Sequence, residues 1–310
     1  MSILFTFPGQ GAQQPGMLHA LPDHPETRRA LAEAGDVLDA DPLLLDTAQA
    51  LASTYAVQLC LLIAGVAMAR ILGAQQAGPD MVAGLSIGAY PAAVIAGALD
   101  YADALRLVER RARLMESAYP RGYGMAVING LDRDQLAPLI ARVHTASHPV
   151  YLANLNAPQQ MVIAGADHAL RAVMLLAIEC GATRVERLAV NVPSHCPLLD
   201  AAAAAMTTAF SEIAVQRPQL SYLSTAAIRP LSEPTRIADD LANNMARQLH
   251  WSDTVRLAWE RGARLALEMP SGSVLSDLSA PIFTDGLAIA CDHHRLDTLL
   301  ALIARERLAL

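Results

Sequence analysis

The sequence predicts an α/β fold in which parallel strands alternate with helices and a second, smaller sheet unit is inserted into the first. Three observations predict it. Short apolar runs closed by Pro, Gly or Ser alternate with long stretches of helical periodicity, the order that parallel strands and their crossover helices impose. Near Tyr123 the texture changes, and for about seventy residues the order becomes strand, helix, strand, strand, helix, strand. Beyond that stretch the earlier alternation resumes, which assigns both chain ends to one large unit.

In chain order, SILFTF (2–7) is a buried strand stopped by Pro8 and a glycine turn. ETRRALAEAGDVL and TAQALASTYAVQLCLLIAGVAMARIL carry helical periodicity. DMVAGLS is a short strand, and IGAYPAAVIAGALDYADALRLVERRARLMESA is mostly helical. The inserted unit reads GMAVING (strand), RDQLAPLIARV (helix), PVYLANLN and QQMVIAG (strands), HALRAVMLLAIECG (helix) and TRVERLAV (strand). This βαββαβ order is the ferredoxin-like pattern. NVPSHCPLLDAAAAAMTTAF returns to a loop and a helix. LSYLSTAA, helices near 237 to 264 and the strand RLALEMPSG complete the alternation. The expected division is residues 1–122 with 191–310 for the large core and 123–190 for the small subdomain.

Composition narrows the function classes. With 310 residues, 53% hydrophobic and 17% charged, the chain can fill one large core and a smaller one. The first residues lack a basic stretch and reach Pro8 and Gly9 too early for a signal peptide. The longest apolar run, around LCLLIAGVAMA, ends at Arg70, short of the ~20 residues a bilayer needs. No membrane association and a cytoplasmic location are therefore expected. The four cysteines form no CxxC pair, so neither a disulfide framework nor a zinc knuckle is expected. His293 and His294 adjoin, but without a third ligand they make no metal site, and no cofactor motif appears. All 23 basic residues are arginine, which excludes a Schiff-base or Walker lysine. Net charge −7 without a basic stripe excludes nucleic acid as a partner. Arginine remains the only fixed cation for an anionic substrate.

The stretch MVAGLSIGAY holds Gly84, Ser86 and Gly88 between a strand and a helix, the setting of a nucleophile elbow. The core is then an α/β-hydrolase-like one, with Ser86 on its sharp turn. Of nine histidines, His195 in VNVPSHCPLLD stands apart. It sits where the chain leaves the last strand of the insert, at a cleft between the two units. His19, His24, His144 and His148 lie in polar loop or helix-end contexts. The FPGQGAQ turn and the residue after the serine, Ile87, offer backbone N–H groups for an oxyanion.

Together FPGQGAQ, GLSIG and VPSHC resemble the malonyl-CoA:acyl carrier protein transacylase family, nearly end to end. VERRARLM (108–115), NAPQQMVIAG (156–165), NNMARQLHW ending at Trp251 and EMPSGSVLSDL from Glu268 extend the match. The resemblance implies that Ser86 carries the acyl group and His195 takes its proton. It further implies that the N–H groups of Gln10 and Ile87 hold the oxyanion, that Arg111 pairs with the malonyl carboxylate, and that Asn244 orients the histidine. A guanidinium grips a carboxylate bidentately, which acetyl cannot offer. Arg106, Arg110 and Arg113 read as a solvated face. The implied partners are malonyl-CoA and an acyl carrier protein. Two positions depart from the family's G-H-S-x-G-E pattern: Leu85 replaces the histidine and Ala89 the glutamate. GLSIGAY in a lysine-free chain is most like the transacylase (epsilon) subunit of malonate decarboxylase, which would add other subunits of that system as partners. The alternatives are a transacylase of fatty acid or polyketide synthesis, a serine hydrolase, and an inactive docking subunit. A hydrolase usually places a carboxylate behind its histidine, where this chain has Asn244.

Overall fold

The computed structural model describes residues 2–119 and 121–308. The elements run β1 (Ser2–Phe7), α1 (Pro25–Leu38), α2 (Thr54–Ala74), β2 (Met81–Gly84), α3 (Ala89–Ile95) and α4 (Tyr101–Ala118). Then come β3 (Tyr123–Asn129), α5 (Arg133–Val143), β4 (Val150–Ala157), β5 (Gln160–Ala166), α6 (Asp167–Glu179) and β6 (Arg184–Arg187). The rest comprises α7 (Asp200–Phe210), β7 (Ser221–Ser224), β8 (Arg229–Leu231), α8 (Pro234–Asn243), β9 (Leu249–His250), α9 (Trp251–Glu260), β10 (Ala263–Glu268), α10 (Val274–Ser279), β11 (Leu287–Ala290) and α11 (Leu296–Leu308).

The protein is an α/β fold with two sheets. The first has the order β11-β10-β1-β2-β7-β8, parallel throughout except for the β7–β8 hairpin. Strand alternation splits β1: Ile3, Phe5 and Phe7 enter a large cluster with α2, α3 and α4, while Leu4 joins Trp251, Val255 and Leu275 on the opposite face. Helices therefore cover both faces, as the near-continuous apolar strands require.

The second sheet has the order β6-β3-β5-β4-β9. Its first four strands are antiparallel, and α5 and α6 pack on one face through Ile128, Leu136, Ile163, Leu170 and Val173. The fifth strand, β9, comes from beyond residue 190 and pairs parallel with β4, Leu249 facing Asn154 and His250 facing Leu155. Gln248 adds a side-chain bond to the Leu152 carbonyl at 2.9 Å.

Several expectations need correction. The apolar run ends at Arg70 but its helix does not; α2 continues to Ala74, 21 residues that pass for a membrane span by length and composition. Its apolar window is 89% buried within the fold, the behaviour of a core helix. Arg70 is accommodated because its head reaches Glu33 at 2.9 Å and lies over the Tyr101 ring. The helix also starts later than its periodicity suggests, at Thr54, because the Ser53 hydroxyl caps the Ala56 N–H. The helical stretch after the elbow breaks at Gly97, whose φ of 73° permits the turn, and restarts under the Asp100 cap. TRVERLAV is strand only from Arg184 to Arg187.

Candidate active site

Ser86 stands where β2 gives way to a short 3-10 turn, Ser86–Gly88, and then α3. Its φ of +57° is a left-handed conformation costing a non-glycine residue about 1–3 kcal/mol, held by the surrounding packing. The flanking glycines explain how. A Cβ at Gly84 would sit 2.0 Å from the Gly88 carbonyl, and one at Gly88 would sit 2.0 Å from the Phe7 carbonyl oxygen. Both are needed for close backbone approach. The turn after β1 is pressed onto the elbow as well, with a Cβ at Gly9 only 2.9 Å from the Leu85 carbonyl oxygen. Gln10 and Ile87 thus line one cleft beside Ser86, Ile87 at the open N-terminus of the 3-10 turn.

His195 also has a positive φ, 64°, and its N–H is fixed to the Met245 carbonyl at 2.6 Å. Its Nδ1 lies 2.7 Å from the Asn244 carbonyl oxygen. A carbonyl only accepts, so Nδ1 carries the proton and Nε2 presents its lone pair. That lone pair accepts from the Ser86 hydroxyl at 2.9 Å. Burial pushes the imidazole pKa down to about 4; the Asn244 carbonyl opposes the fall and the Arg111 cation adds to it. At neutral pH His195 is a free base in contact with the serine proton.

Arg111 rises from α4 beneath these two groups and is 0% exposed. Its Nη1 donates to Gln58 Oε1 at 2.6 Å, and its Nη2 to Ser86 Oγ and Asn244 Oδ1, each at 3.2 Å. Burial lowers its pKa to about 10, so it stays cationic at neutral pH. All these acceptors are neutral, and among the described residues no carboxylate lies within ion-pair distance. A buried cation with no counter-charge favours binding of an anion. Arg106 and Arg113, by contrast, are exposed and paired with Asp103 and Glu109.

The structure therefore brings Ser86, His195, Arg111 and Asn244 into one hydrogen-bonded group, with Gln10 and Ile87 on the cleft wall beside it. The contact from Asn244 to the histidine differs from the sequence expectation of an amide partner, because it runs through the main-chain carbonyl. The side-chain amide does other things: Oδ1 accepts from Arg111, and Nδ2 donates to the Ser86 carbonyl at 3.1 Å. One residue thus touches all three neighbours.

Sequence reasoning missed Gln58, the only polar side chain between Val57 and Ala69, which is 1% exposed and fixes the Arg111 fork. A lone amide in a helix otherwise apolar all round is a signal in itself. Glu268, in the matched EMPSG stretch, has a structural task. Its carboxylate accepts the N–H groups of Leu275 and Ser276 at 3.0 and 2.6 Å, capping α10, and Leu275 lines the cleft. The remaining histidines lie elsewhere: His19 pairs with Asp46, His24 caps α1 and His144 contacts the Val150 carbonyl. Among the described residues no group of three His, Cys, Asp or Glu side chains is arranged to hold a metal ion.

The cleft over Ser86 has a volume of about 450 Å3. The elbow and the FPGQG turn form one wall. Met125, Val127 and Val162 of the second sheet, with several amides, form the other.

A family model described as an acyl transferase domain matches residues 4–284. The chain is 36% identical over 292 residues to the malonyl CoA-acyl carrier protein transacylase of Haemophilus influenzae, covering 92% of this chain and 93% of that one. The solved malonyl CoA-acyl carrier protein transacylase of Coxiella burnetii superposes with a TM-score of 0.93 at 30% identity over 98% of both chains. A malonyl-transacylase solved with its type II polyketide acyl-carrier protein gives 0.92 at 33% identity, over 98% of this chain and 100% of that one.

Proposed function

The chain belongs to the acyl transferase domain family, and from that premise we propose that it moves a malonyl group from malonyl-CoA to the phosphopantetheine thiol of an acyl carrier protein. The carrying observation is the contact of Ser86 Oγ with both a free imidazole and a buried, uncompensated guanidinium. Ser86 Oγ attacks the thioester carbonyl while its proton passes to His195 Nε2. The oxyanion sits on the Gln10 and Ile87 N–H groups. The C–S bond breaks, and the departing CoA sulfur takes the proton from Nε2, leaving a malonyl ester on Ser86. In the second half the carrier thiol gives its proton to Nε2, its sulfur attacks the ester, and Ser86 Oγ leaves reprotonated.

Arg111 does two things in this scheme. It grips the malonyl carboxylate, and the bound anion offsets the cation that depresses His195, so the base strengthens when the correct acyl group arrives. Acetyl brings no such charge. A neutral carbonyl behind His195, in place of a carboxylate, supports transfer over hydrolysis.

For the pathway, the named relatives support a carrier of fatty acid or polyketide synthesis. The second reading, the malonate decarboxylase transacylase, rests on Leu85 and Ala89, both buried and apolar in a lysine-free chain. A cytoplasmic location and a small subdomain spanning 123–190 belong to the same proposal. The test is intact mass after mixing with malonyl-CoA. An adduct of about 86 Da that is discharged by holo acyl carrier protein is expected from the acyl-enzyme chemistry. Absence of the adduct, or its discharge only by water, overturns the proposal. Comparing holo carriers from the two systems decides the pathway.

A further inference from the structure

One side chain closes both points at which the chain enters and leaves the second sheet. Arg187 is the last residue of β6, which pairs antiparallel with β3 from Asn129 with Arg184 to Ala126 with Arg187. One more main-chain bond follows, from the Leu188 N–H to the Met125 carbonyl at 2.9 Å, and the chain then leaves the sheet. Alternation points the carbonyls of residues 123 and 125 toward the departing neighbour, which would leave an open edge. The Arg187 head fills it. Its Nη2 donates to the Tyr123 carbonyl at 2.9 Å and its Nη1 to the Met125 carbonyl at 3.1 Å. Nη1 also donates to the exit segment, to the carbonyls of Leu188 at 2.6 Å and Val190 at 2.8 Å. Asp167, the first residue of α6, supplies the counter-charge: its Oδ1 accepts from Nε at 3.3 Å and from Nη2 at 3.0 Å.

Residue 124 makes room for this head. A Cβ at Gly124 would overlap the Arg187 guanidinium, and its three nearest atoms would all belong to that group. Gly124 lies within β3 and has no left-handed φ, so what the glycine supplies is space rather than backbone freedom. A lysine could not do the same work, because three donors on one nitrogen cannot reach four carbonyls on two segments.

We propose that Arg187 is a positioning residue that clasps entry to exit and so holds the cleft at its working width, an inference that rests on the malonyl transfer proposed above. Three of the four carbonyls it holds belong to Met125, Leu188 and Val190, residues that line the cleft. Leu188 and Val190 also pack with Met125 in the cluster that contains Cys196, the neighbour of His195. The reacting group does not depend on the clasp for its bonds. Ser86, His195, Arg111 and Asn244 are bonded to one another, and among the described residues Arg187 bonds to none of them. Loss of the clasp is therefore felt as weaker holding of substrate, with the chemistry at Ser86 kept.

The test measures KM and kcat for transfer from malonyl-CoA to holo acyl carrier protein in three variants of the full chain. Arg187→Met keeps the aliphatic stem and removes the head; Gly124→Ala keeps the arginine and displaces its head; the third variant carries both changes. Arg187→Met should raise the KM for malonyl-CoA about 5- to 30-fold and Gly124→Ala about threefold to tenfold, with kcat changed less than about twofold in each. The double variant should be no worse than Arg187→Met, because both changes remove the same contacts. Should thermal melting show Arg187→Met to be unfolded, Gly124→Ala alone carries the comparison of KM with kcat. Unchanged KM in the folded variants, a fall in kcat as large as the rise in KM, or additive losses in the double variant overturns the clasp and leaves malonyl transfer standing. Failure of the unmodified protein to acylate from malonyl-CoA overturns the transfer instead.

Discussion

On the elbow side of the cleft Ser86, His195, Asn244, Gln58 and Arg111 form one connected set of bonds between 2.6 and 3.2 Å, with Arg111 Nε left without a partner among the described residues. On the facing sheet Asn129, Asn154 and Asn156 bury acceptors that have no partner among the described residues. The first wall is organised before substrate arrives, which is what chemistry at a fixed point needs. The second is organised only in its apolar frame, Met125, Val127 and Val162. Rate and acyl selectivity are thus expected to depend on the first wall.

Breaking the first wall should produce the largest effects. Ser86→Ala should lower transfer by roughly four orders of magnitude or more and leave no malonyl adduct by intact mass, since residues acting as one unit fail together. An adduct on that variant would move the nucleophile elsewhere. His195→Ala should slow acylation by roughly two to four orders of magnitude, read in single-turnover kinetics, with malonyl-CoA affinity retained. Arg111→Ala leaves a charge-assisted pair half-made, costing roughly 2 to 5 kcal/mol, so the malonyl-to-acetyl ratio of specificity constants should drop by about thirty to several thousand. Equal losses for both acyl groups would make Arg111 purely structural.

Two smaller effects sharpen the contrast. His195 has a folded pKa near 4 against 6.5 ordinarily. As pH falls below about 6.5 the unfolded chain takes up a proton that the native site refuses, so this group's contribution to stability is full at neutral pH and lost between about 6.5 and 4. Acylation of the free enzyme should likewise hold its rate to about pH 5, with an acid limb near 4; a limb near 6.5 would mean that another base works. Gln58→Leu should unpair Arg111 Nη1 and cut malonyl selectivity by about tenfold, the cost of one buried donor, with acetyl transfer as the internal control.

The elbow was legible because its constraint is steric: glycines at 84 and 88 are required by backbone contacts, and such requirements are written as residue identity. Helices were legible where pattern and caps agree, as at Arg133–Val143, where Asp132 and Gln135 form a capping box. The short strands β8, β9 and β11 were not, since two to four residues pair because of the neighbours they meet and not because of their own pattern. Asn244 was found for its side chain, yet the histidine contact uses its main chain, which any residue supplies. The amides of β4 lay in plain view in NLNAPQQ, but their loneliness is a property of the packed cleft.

The pairing of Leu249 with Asn154 has a mechanical consequence. The segment that ends in β9 begins at Asn244, whose carbonyl sets the tautomer of His195. The imidazole is thus anchored to both sheets at once: to the elbow through its bond to Ser86, and to the second sheet through the short run of chain that leads from Asn244 to the edge strand β9.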